Sequence, residues 1–184
     1  MMDKEQPDSA KEQQLLAEEK LKWLMKEYGN DVIRIAFSYV KNKQLAEDIS
    51  QDVFLKCYEK LDSFRHESSY KTWIMRIAVN RCKDVLKSWS YRNIKLTEFL
   101  TAKKVQPSLE EELFADEGNE YISRQVLTLP VKLREVIILY YYQEFSIEEI
   151  SQLLNTNNNT IKTRLHRARS QLKAVLEGEV KHNG

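Results

Sequence analysis

Apolar side chains recur at intervals of three and four residues along most of the chain, which predicts amphipathic helices. Three such periods lie in the first half, over about 12 to 40 with a break at Gly29-Asn30, after Asn42, and from about Tyr70 to Lys87. Four more follow, at about 120 to 128, Val131 to Tyr142, Ile147 to Leu154 and roughly 158 to 176. The pattern predicts an all-α protein with two small helical domains.

The segment between the two groups of helices has no sustained apolar period. Residues 97–120 carry seven acidic side chains against two lysines. With its flanks the segment runs for about 30 residues, whereas a loop inside a compact domain usually has roughly 4 to 6. We therefore predict a flexible acidic linker at 93–118. This linker would join an N-terminal domain at 21–92 to a C-terminal domain at 119–184. Residues 1–20 would form an N-terminal extension before the first domain.

Composition narrows the class of protein. No stretch reaches the roughly 18 apolar residues of a membrane span, and the opening MMDKEQPDSAKEQQ is too polar for a signal peptide. A cytoplasmic protein without membrane insertion is expected. The only two cysteines, Cys57 and Cys82, lie in apolar stripes and are predicted to be reduced core residues. We expect no metal and no cofactor.

Charge is segregated along the chain although the formal net charge is only +1. Residues 44–62 carry five acids against two lysines. Residues 65–95 carry eight Lys and Arg side chains against two acids, and residues 160–176 carry five against none. The two basic blocks are candidate contacts for a polyanion.

The second basic block follows a helix-turn-helix pattern. Ser146 and Glu149 fit the capping box that opens a helix. That helix ends at Leu154, and after a three-residue turn Asn157 is a suitable N-cap for the next helix. In the helix-turn-helix motif the second helix enters the major groove of DNA.

The apolar period of the second helix fixes its faces, because five side chains must point to the core: Ile161, Leu165, Ala168, Leu172 and Val175. Side chains placed to reach base edges are Thr160, Lys162, Thr163, His166 and Arg167. Arg164 and Arg169 are better placed for phosphates. A solvated basic face is the alternative, but the caps, turn and register together favour DNA binding.

The first basic block has the composition of a site for unpaired bases. Arg76, Asn80 and Lys83 form one stripe on the predicted third helix. The polar loop before it is flanked by Phe64 and Trp73, and stacking rings with cations are what single strands require. Alternatively both rings belong to the core, which for Trp73 is the favoured interpretation.

The helix at 44–61 presents the opposite chemistry. Its exposed side carries four residues that would repel nucleic acid or be neutral to it, Glu47, Asp48, Gln51 and Asp52. This face is predicted to contact a protein, with a solvated acidic surface as the alternative.

Three stretches resemble the bacterial RNA polymerase sigma factors of the extracytoplasmic-function (ECF) class. They are AEDISQDVFLKCYEKLDSF at 46–64, YKTWIMRIAVNRCKDVLK at 70–87, and LPVKLREVIILYYYQEFSIEEISQLL with NTIKTRLHRARSQL within 129–172. Their order and separation also match this class. The resemblance implies a non-enzymatic subunit that directs promoter-specific initiation, with core RNA polymerase, promoter DNA and an anti-sigma factor as partners.

The resemblance also implies a role for each candidate residue. Contacts to the clamp helices of the largest polymerase subunit would come from Glu47, Asp48, Gln51 and Asp52. Contacts to the melted −10 element would come from Arg65, His66, Ser68, Lys71, Arg76, Asn80 and Lys83. Contacts to the −35 duplex would come from Arg134, Thr160, Lys162, Thr163, Arg164, His166, Arg167 and Arg169.

The chain departs from the family in its turn, where Asn155 replaces a common glycine and must adopt a left-handed conformation. The run Asn157 to Asn159 also differs, so the −35 sequence does not transfer. Two rival functions stay open. One is a dimeric helix-turn-helix regulator of duplex operators. The other is a small enzyme, which has little support because His66, His166 and His182 lie far apart.

Overall fold

A computed structural model of the protein describes residues 9–65, 67–88 and 120–180. These ranges contain no β-strand, so the all-α prediction is confirmed there, while the predicted linker at 93–118 lies outside them. The helices are α1 (Ser9–Val40), α2 (Lys43–Lys60), α3 (Tyr70–Lys87), α4 (Glu120–Thr128), α5 (Val131–Ile137), α6 (Ile147–Leu154) and α7 (Asn158–Val180). A 3-10 turn at Leu61–Ser63 follows α2, and a π-helical turn at Ile138–Tyr142 continues α5.

Helix α1 runs without interruption through Gly29 and Asn30, so the predicted break is wrong. Leu24 and Val32, on either side of this pair, are both fully buried. Packing of that face stabilises the helix against the roughly 1 kcal/mol that glycine costs relative to alanine. A Cβ at Gly29 would meet nothing within 4 Å, so the glycine lies on the open side of the helix.

Helices α1, α2 and α3 pack on one another as the N-terminal domain. Fully or almost fully buried core residues from all three are Ile35, Ala36, Ile49, Val53, Ile74 and Ala78. Cys57 and Cys82 are fully buried in the same core, as predicted. Burial raises the pKa of each thiol to about 12.

We expect neither cysteine of the folded protein to react with the thiol reagent DTNB near pH 8. The thiolate is the reactive form, and a thiol pKa of about 12 leaves only about one thiolate in ten thousand at that pH. Absorbance should show no release of thionitrobenzoate until urea is added, and then two equivalents per chain. Rapid labelling of the native protein would contradict the placement of the cysteines in the core.

The C-terminal domain consists of α4 to α7 and contains the predicted helix-turn-helix. At the start of α6, Glu149 N donates to Ser146 Oγ at 3.2 Å and Ser146 N donates to Glu149 Oε2 at 2.8 Å, which completes the capping box. Asn155 ends α6 with φ 50° and ψ 56°, the left-handed conformation that the turn requires. Asn157 Oδ1 accepts from Thr160 N at 2.8 Å and caps α7.

The helix predicted from Val131 to Tyr142 is not a uniform α-helix, because its last five residues form a π-helical turn. Gln143 N donates to Ile138 O at 3.0 Å, five residues back. Apolar periodicity could not predict this change, since the run Val136 to Tyr142 is apolar at every position. The wider turn brings Gln143 inward, where it is 1% exposed.

The two domains contact each other, which the sequence did not predict. Helix α1 packs on α5, and α3 packs on α6. The Tyr39 hydroxyl donates to Glu135, and Gln143 Nε2 donates to Asp31 Oδ1 at 2.9 Å. Within the described ranges, no helix combines the length and the apolar character needed to cross a bilayer.

Candidate nucleic-acid and polymerase interfaces

Helix α7 presents the predicted polar face to solvent. Ile161, Leu165 and Ala168 are at most 2% exposed and anchor the opposite face in the core. The exposed side chains include Lys162, Thr163, His166 and Arg167, while Thr160 in the first turn is half-buried. Thr163 Oγ1 donates to Asn159 O at 2.8 Å, which fixes its hydroxyl against the helix. The result is a basic surface next to a capped helix N-terminus.

Arg134, which the resemblance placed among the −35 contacts, does not lie on this exposed surface. Its side chain is on α5 and only 2% of the residue is exposed. Arg134 Nη1 donates to Leu127 O at 2.6 Å and to Leu129 O at 3.2 Å. The guanidinium therefore satisfies carbonyl groups at the end of α4, as buried charges must be hydrogen-bonded.

The two arginines predicted to contact phosphates have protein partners. Arg164 Nη1 lies 3.1 Å from Glu135 Oε1, and its side chain is 20% exposed. Arg169 stays exposed, but its Nε donates to the Tyr141 hydroxyl at 2.8 Å and its guanidinium lies 5.6 Å from the Tyr140 ring centroid. Arg164 is thereby held against α5, whereas Arg169 contacts the π-helical turn and stays exposed.

The predicted −10 loop is closed at its base by stacked rings. The half-buried Phe64 ring contacts the rings of Tyr70 and Trp73, at centroid distances of 4.6 Å and 4.8 Å. Ser69 Oγ accepts from Thr72 N at 3.1 Å and caps α3. Residues on both sides of the loop are therefore in contact with each other.

The polar loop residues differ in exposure. The side chain of Arg65 is 83% exposed, and its Nη1 lies 4.0 Å from Glu67 Oε1. Ser68 and Lys71 are half-buried, and Lys71 Nζ lies 5.5 Å from the Phe145 ring centroid in the other domain. His66 lies outside the described residues.

The predicted −10 stripe on α3 consists of Arg76, Asn80 and Lys83, and these residues differ in exposure. Arg76 and Asn80 are exposed, as predicted. Lys83 is 31% exposed at its side chain, and its Nζ lies 4.0 Å from Glu135 Oε2 across the domain contact. In this arrangement only the first part of the stripe faces solvent.

Two residues near the −10 loop were missed because they come from the middle of α1. Trp23 is 46% exposed, and its ring lies 5.8 Å from Tyr70. Lys20 Nζ lies 5.0 Å from the centroid of the same tyrosine. An exposed tryptophan beside a cation is suited to stacking a base. Only the tertiary packing of α1 against residue 70 could reveal this.

The acidic face of α2 is present, with Asp48 and Gln51 exposed and Glu47 half-buried. Asp52 is engaged within the domain, since its Oδ2 accepts from Arg81 Nε at 2.9 Å. Sequence reasoning missed Leu55, which is 62% exposed. Leu55 lies three residues after Asp52 and four after Gln51, so it belongs to the same face. An exposed leucine among acidic residues suits a protein partner.

Comparison with known proteins identifies the family of the chain. The family described as Sigma-70 region 2 matches residues 24–90, and the family described as Sigma-70, region 4 matches residues 119–172. The chain is 33% identical over 160 residues to the ECF RNA polymerase sigma factor SigW of Bacillus subtilis. The aligned residues cover 81% of this chain and 84% of the relative. The chain belongs to the ECF RNA polymerase sigma factors.

This sigma factor is also 30% identical to the ECF RNA polymerase sigma-E factor of Escherichia coli strain K12, over 81% of this chain and 82% of the relative. Its fold resembles the sigma factor RpoE solved with the anti-sigma factor NepR from Bartonella quintana. The TM-score is 0.67 at 23% identity, covering 86% of this chain and 97% of that one.

Membership of the family decides among the functions left open by the sequence. This sigma factor binds core RNA polymerase and directs promoter-specific initiation of transcription. The alternative of a regulator that binds operators independently of polymerase is not favoured. Sigma factors as a family are not enzymes. Lys20 and Trp23 precede residue 24, where the region 2 match begins.

Proposed function

We propose that the N-terminal domain, residues 21–92, docks on polymerase and captures the unpaired −10 strand, while the C-terminal domain, residues 119–184, reads the −35 element as duplex. The linker at 93–118 would let the two domains act at separate sites. The observation that carries this proposal is the division of exposed charge. Helix α7 exposes cations and has no acid between residues 160 and 176, whereas α2 exposes carboxylates.

For the −35 element, Lys162, Thr163, His166 and Arg167 are proposed to reach base edges from the first turns of α7. Their exposure and the Asn157 cap support this, because a capped helix N-terminus can approach DNA phosphates through its amides and its dipole. Thr160, Arg164 and Arg169 are proposed to contact the backbone after their internal partners are released.

For the −10 element, Arg65, His66, Ser68 and Lys71 in the loop and Arg76, Asn80 and Lys83 on α3 are proposed to hold the melted strand. Melting requires no ATP in this proposal. It is driven by capture of extruded bases, since stacking on an aromatic ring contributes on the order of 1 to 3 kcal/mol per base.

The largest polymerase subunit is proposed to bind Glu47, Asp48, Gln51 and Asp52 on α2 through its clamp helices, with Leu55 as an apolar contact. Fixing both domains on polymerase makes the second DNA contact intramolecular. A weak hold by each small domain then becomes selective through a high effective concentration.

The proposal is tested by transcription in vitro with purified core polymerase on a promoter library. We expect initiation at defined sites that share −35 and −10 sequences, and a stable complex with core enzyme in a pull-down. Operator binding by a dimer of this chain, with no affinity for core polymerase, would instead support the regulator.

Phe64→Ala is expected to reduce formation of the open promoter complex about tenfold without weakening the binding of core polymerase. The change removes two ring contacts that are each worth about 0.5 to 1.5 kcal/mol, and thereby loosens the loop from its base. Permanganate footprinting of unpaired thymines measures the melted complex. Phe64→Tyr keeps the ring and serves as the control. If Phe64→Ala forms as much melted complex as the wild type, the contacts of the Phe64 ring do not contribute to capture of the strand.

We also propose that an anti-sigma factor holds this protein inactive, acting in the cytoplasm where polymerase is found. Supporting this, the sigma factor RpoE from Bartonella quintana was solved with an anti-sigma factor, and CnrH was solved with the cytosolic domain of CnrY. Affinity purification of the tagged chain from cells grown under several conditions would identify the partner. Recovery of the sigma factor with polymerase alone under all conditions would count against it.

A further inference from the structure

A series of contacting aromatic rings leads from the −10 loop to helix α1. The Tyr70 ring contacts Phe64 at a centroid distance of 4.6 Å and Trp23 of α1 at 5.8 Å. Trp23 also contacts Tyr28, at 6.0 Å. Phe64 borders the loop that is proposed to hold the −10 strand. The rings therefore connect that loop to residue 23, which precedes the region 2 match.

Trp23 is the exposed member of this series. It is 46% exposed, whereas Phe64, Tyr70 and Tyr28 are half-buried. Its two ring contacts are edge-to-face, with interplanar angles of 74° and 87°. Neither neighbouring ring is stacked in parallel on the indole, and much of the residue is open to solvent. A flat base can therefore stack on Trp23 without displacing its present contacts.

Lys20 adds a cation next to this exposed ring. Its Nζ lies 5.0 Å from the centroid of Tyr70, within the roughly 6 Å of a cation–π contact. Lys20 precedes Trp23 by three residues on α1, so the two side chains are neighbours on the helix surface. Single strands are bound by aromatic rings that stack the bases and by cations that follow the backbone. Trp23 and Lys20 supply one group of each kind.

The charge around Trp23 favours a base over an isolated phosphate. Four charged side chains lie three or four residues from it on α1, namely Glu19, Lys20, Lys26 and Glu27. Two are acidic and two are basic, so this part of the helix has no excess positive charge to attract a polyanion. A strand bound here must gain most of its free energy from stacking. In this respect the site differs from the basic stripe on α3.

We propose that Trp23 and Lys20 form a further subsite for the melted promoter strand, in which one unpaired base stacks on the indole and Lys20 contacts a phosphate beside it. The inference rests on the proposed capture of the −10 strand by this domain. Because the rings of Trp23, Tyr70 and Phe64 are in contact, this base belongs to the same melted stretch as the bases held by the loop. Every base has a π face, so the subsite adds affinity without adding sequence preference.

Changes at residue 23 separate stacking from packing. Trp23→Leu keeps an apolar side chain beside Tyr70 but removes the aromatic face, whereas Trp23→Phe keeps an aromatic face. We expect Trp23→Leu to bind the strand about 5- to 150-fold more weakly, and Trp23→Phe to retain most of the binding. Met25→Ala is the control, because Met25 is 47% exposed and lies two residues further on, on the opposite side of α1. Circular dichroism checks that all variants are helical.

Binding is measured by anisotropy with the holoenzyme and a labelled single strand that carries the −10 element of a promoter selected from the library. The loss in Trp23→Leu should be the same factor at every salt concentration, because stacking neutralises no phosphate. Lys20→Ala should instead flatten the salt dependence by about 0.7 in log K per log salt, as expected for one phosphate contact on a single strand. Lys22→Ala, at an exposed lysine of the same helix, should leave the slope unchanged.

An abasic site placed at each position of the strand in turn identifies the stacked base. At one position it should weaken binding by the wild type but not by Trp23→Leu, since both changes remove the same contact. If the two effects multiply at every position, or if Trp23→Leu binds as well as the wild type, the inference is overturned.

Phe64→Ala is measured in parallel to separate this inference from the proposed function. If Phe64→Ala weakens binding and Trp23→Leu does not, capture of the −10 strand stands and only the subsite on α1 falls. If the wild-type holoenzyme does not retain the strand at all, the proposed −10 capture falls, and the subsite falls with it.

Discussion

Asp48→Lys is expected to abolish binding to core RNA polymerase while the fold stays intact. Asp48 is exposed on α2, in the middle of the proposed polymerase face. A like-charge contact in an interface costs several kcal/mol, and each 1.4 kcal/mol is a factor of ten. We therefore expect a loss of at least about 100-fold in affinity, measured by fluorescence binding to labelled core enzyme.

The structure makes Asp48 a cleaner target than Asp52. Asp52 accepts from Arg81 Nε at 2.9 Å, so a lysine at position 52 would also face that arginine and disturb the domain. Glu27→Lys on α1 makes the same charge change at an exposed position outside the face and should bind normally. Undiminished binding by Asp48→Lys would remove α2 from the polymerase contact.

Leu55→Ala tests the apolar part of the same face. Leu55 is 62% exposed, so its removal should hardly change the stability of the isolated protein. Complete burial of a leucine in an interface contributes about 1.5 to 3 kcal/mol, which predicts a loss of affinity of roughly 10- to 100-fold. Binding to core enzyme at wild-type strength would indicate that α2 uses charge alone.

Helix boundaries were predictable where their signals are local. Asn42, Asn157 and the pair Ser146 and Glu149 cap helices through atoms only three residues apart, and the structure contains each of these hydrogen bonds. The buried face of α7 was equally predictable over Ile161, Leu165 and Ala168. The prediction was wrong for Val175 near the end of the helix, which is 38% exposed.

Features that depend on distant residues were not predictable. The burial of Arg134 requires carbonyls at Leu127 and Leu129 to lie beside it, which follows from how α4 and α5 pack. The contact of Glu135 with Tyr39 joins residues 96 positions apart. The continuity of α1 through Gly29 likewise reflects packing that outweighs a local propensity.

The register of α7 allows a sharp test of base recognition. Arg167→Ala is expected to cost about 1 to 3 kcal/mol on a promoter with a guanine at the contacted −35 position, which is about 5- to 150-fold in binding. An exposed arginine in the third turn of the helix can donate two hydrogen bonds to guanine O6 and N7. Binding of holoenzyme to −35 duplexes with each base substituted in turn measures the effect.

Lys173→Ala is the control, because Lys173 is exposed further along α7 and pairs with Glu177 at 3.5 Å. Its loss should weaken binding slightly and equally for all sequences, as expected of a residue without a base contact. The decisive quantity for Arg167 is the difference between substituted promoters. If Arg167→Ala lowers affinity by the same factor for every base and flattens the salt dependence by about one unit, Arg167 contacts a phosphate and not a base. Recognition of the −35 element would then have to come from Lys162, Thr163 and His166.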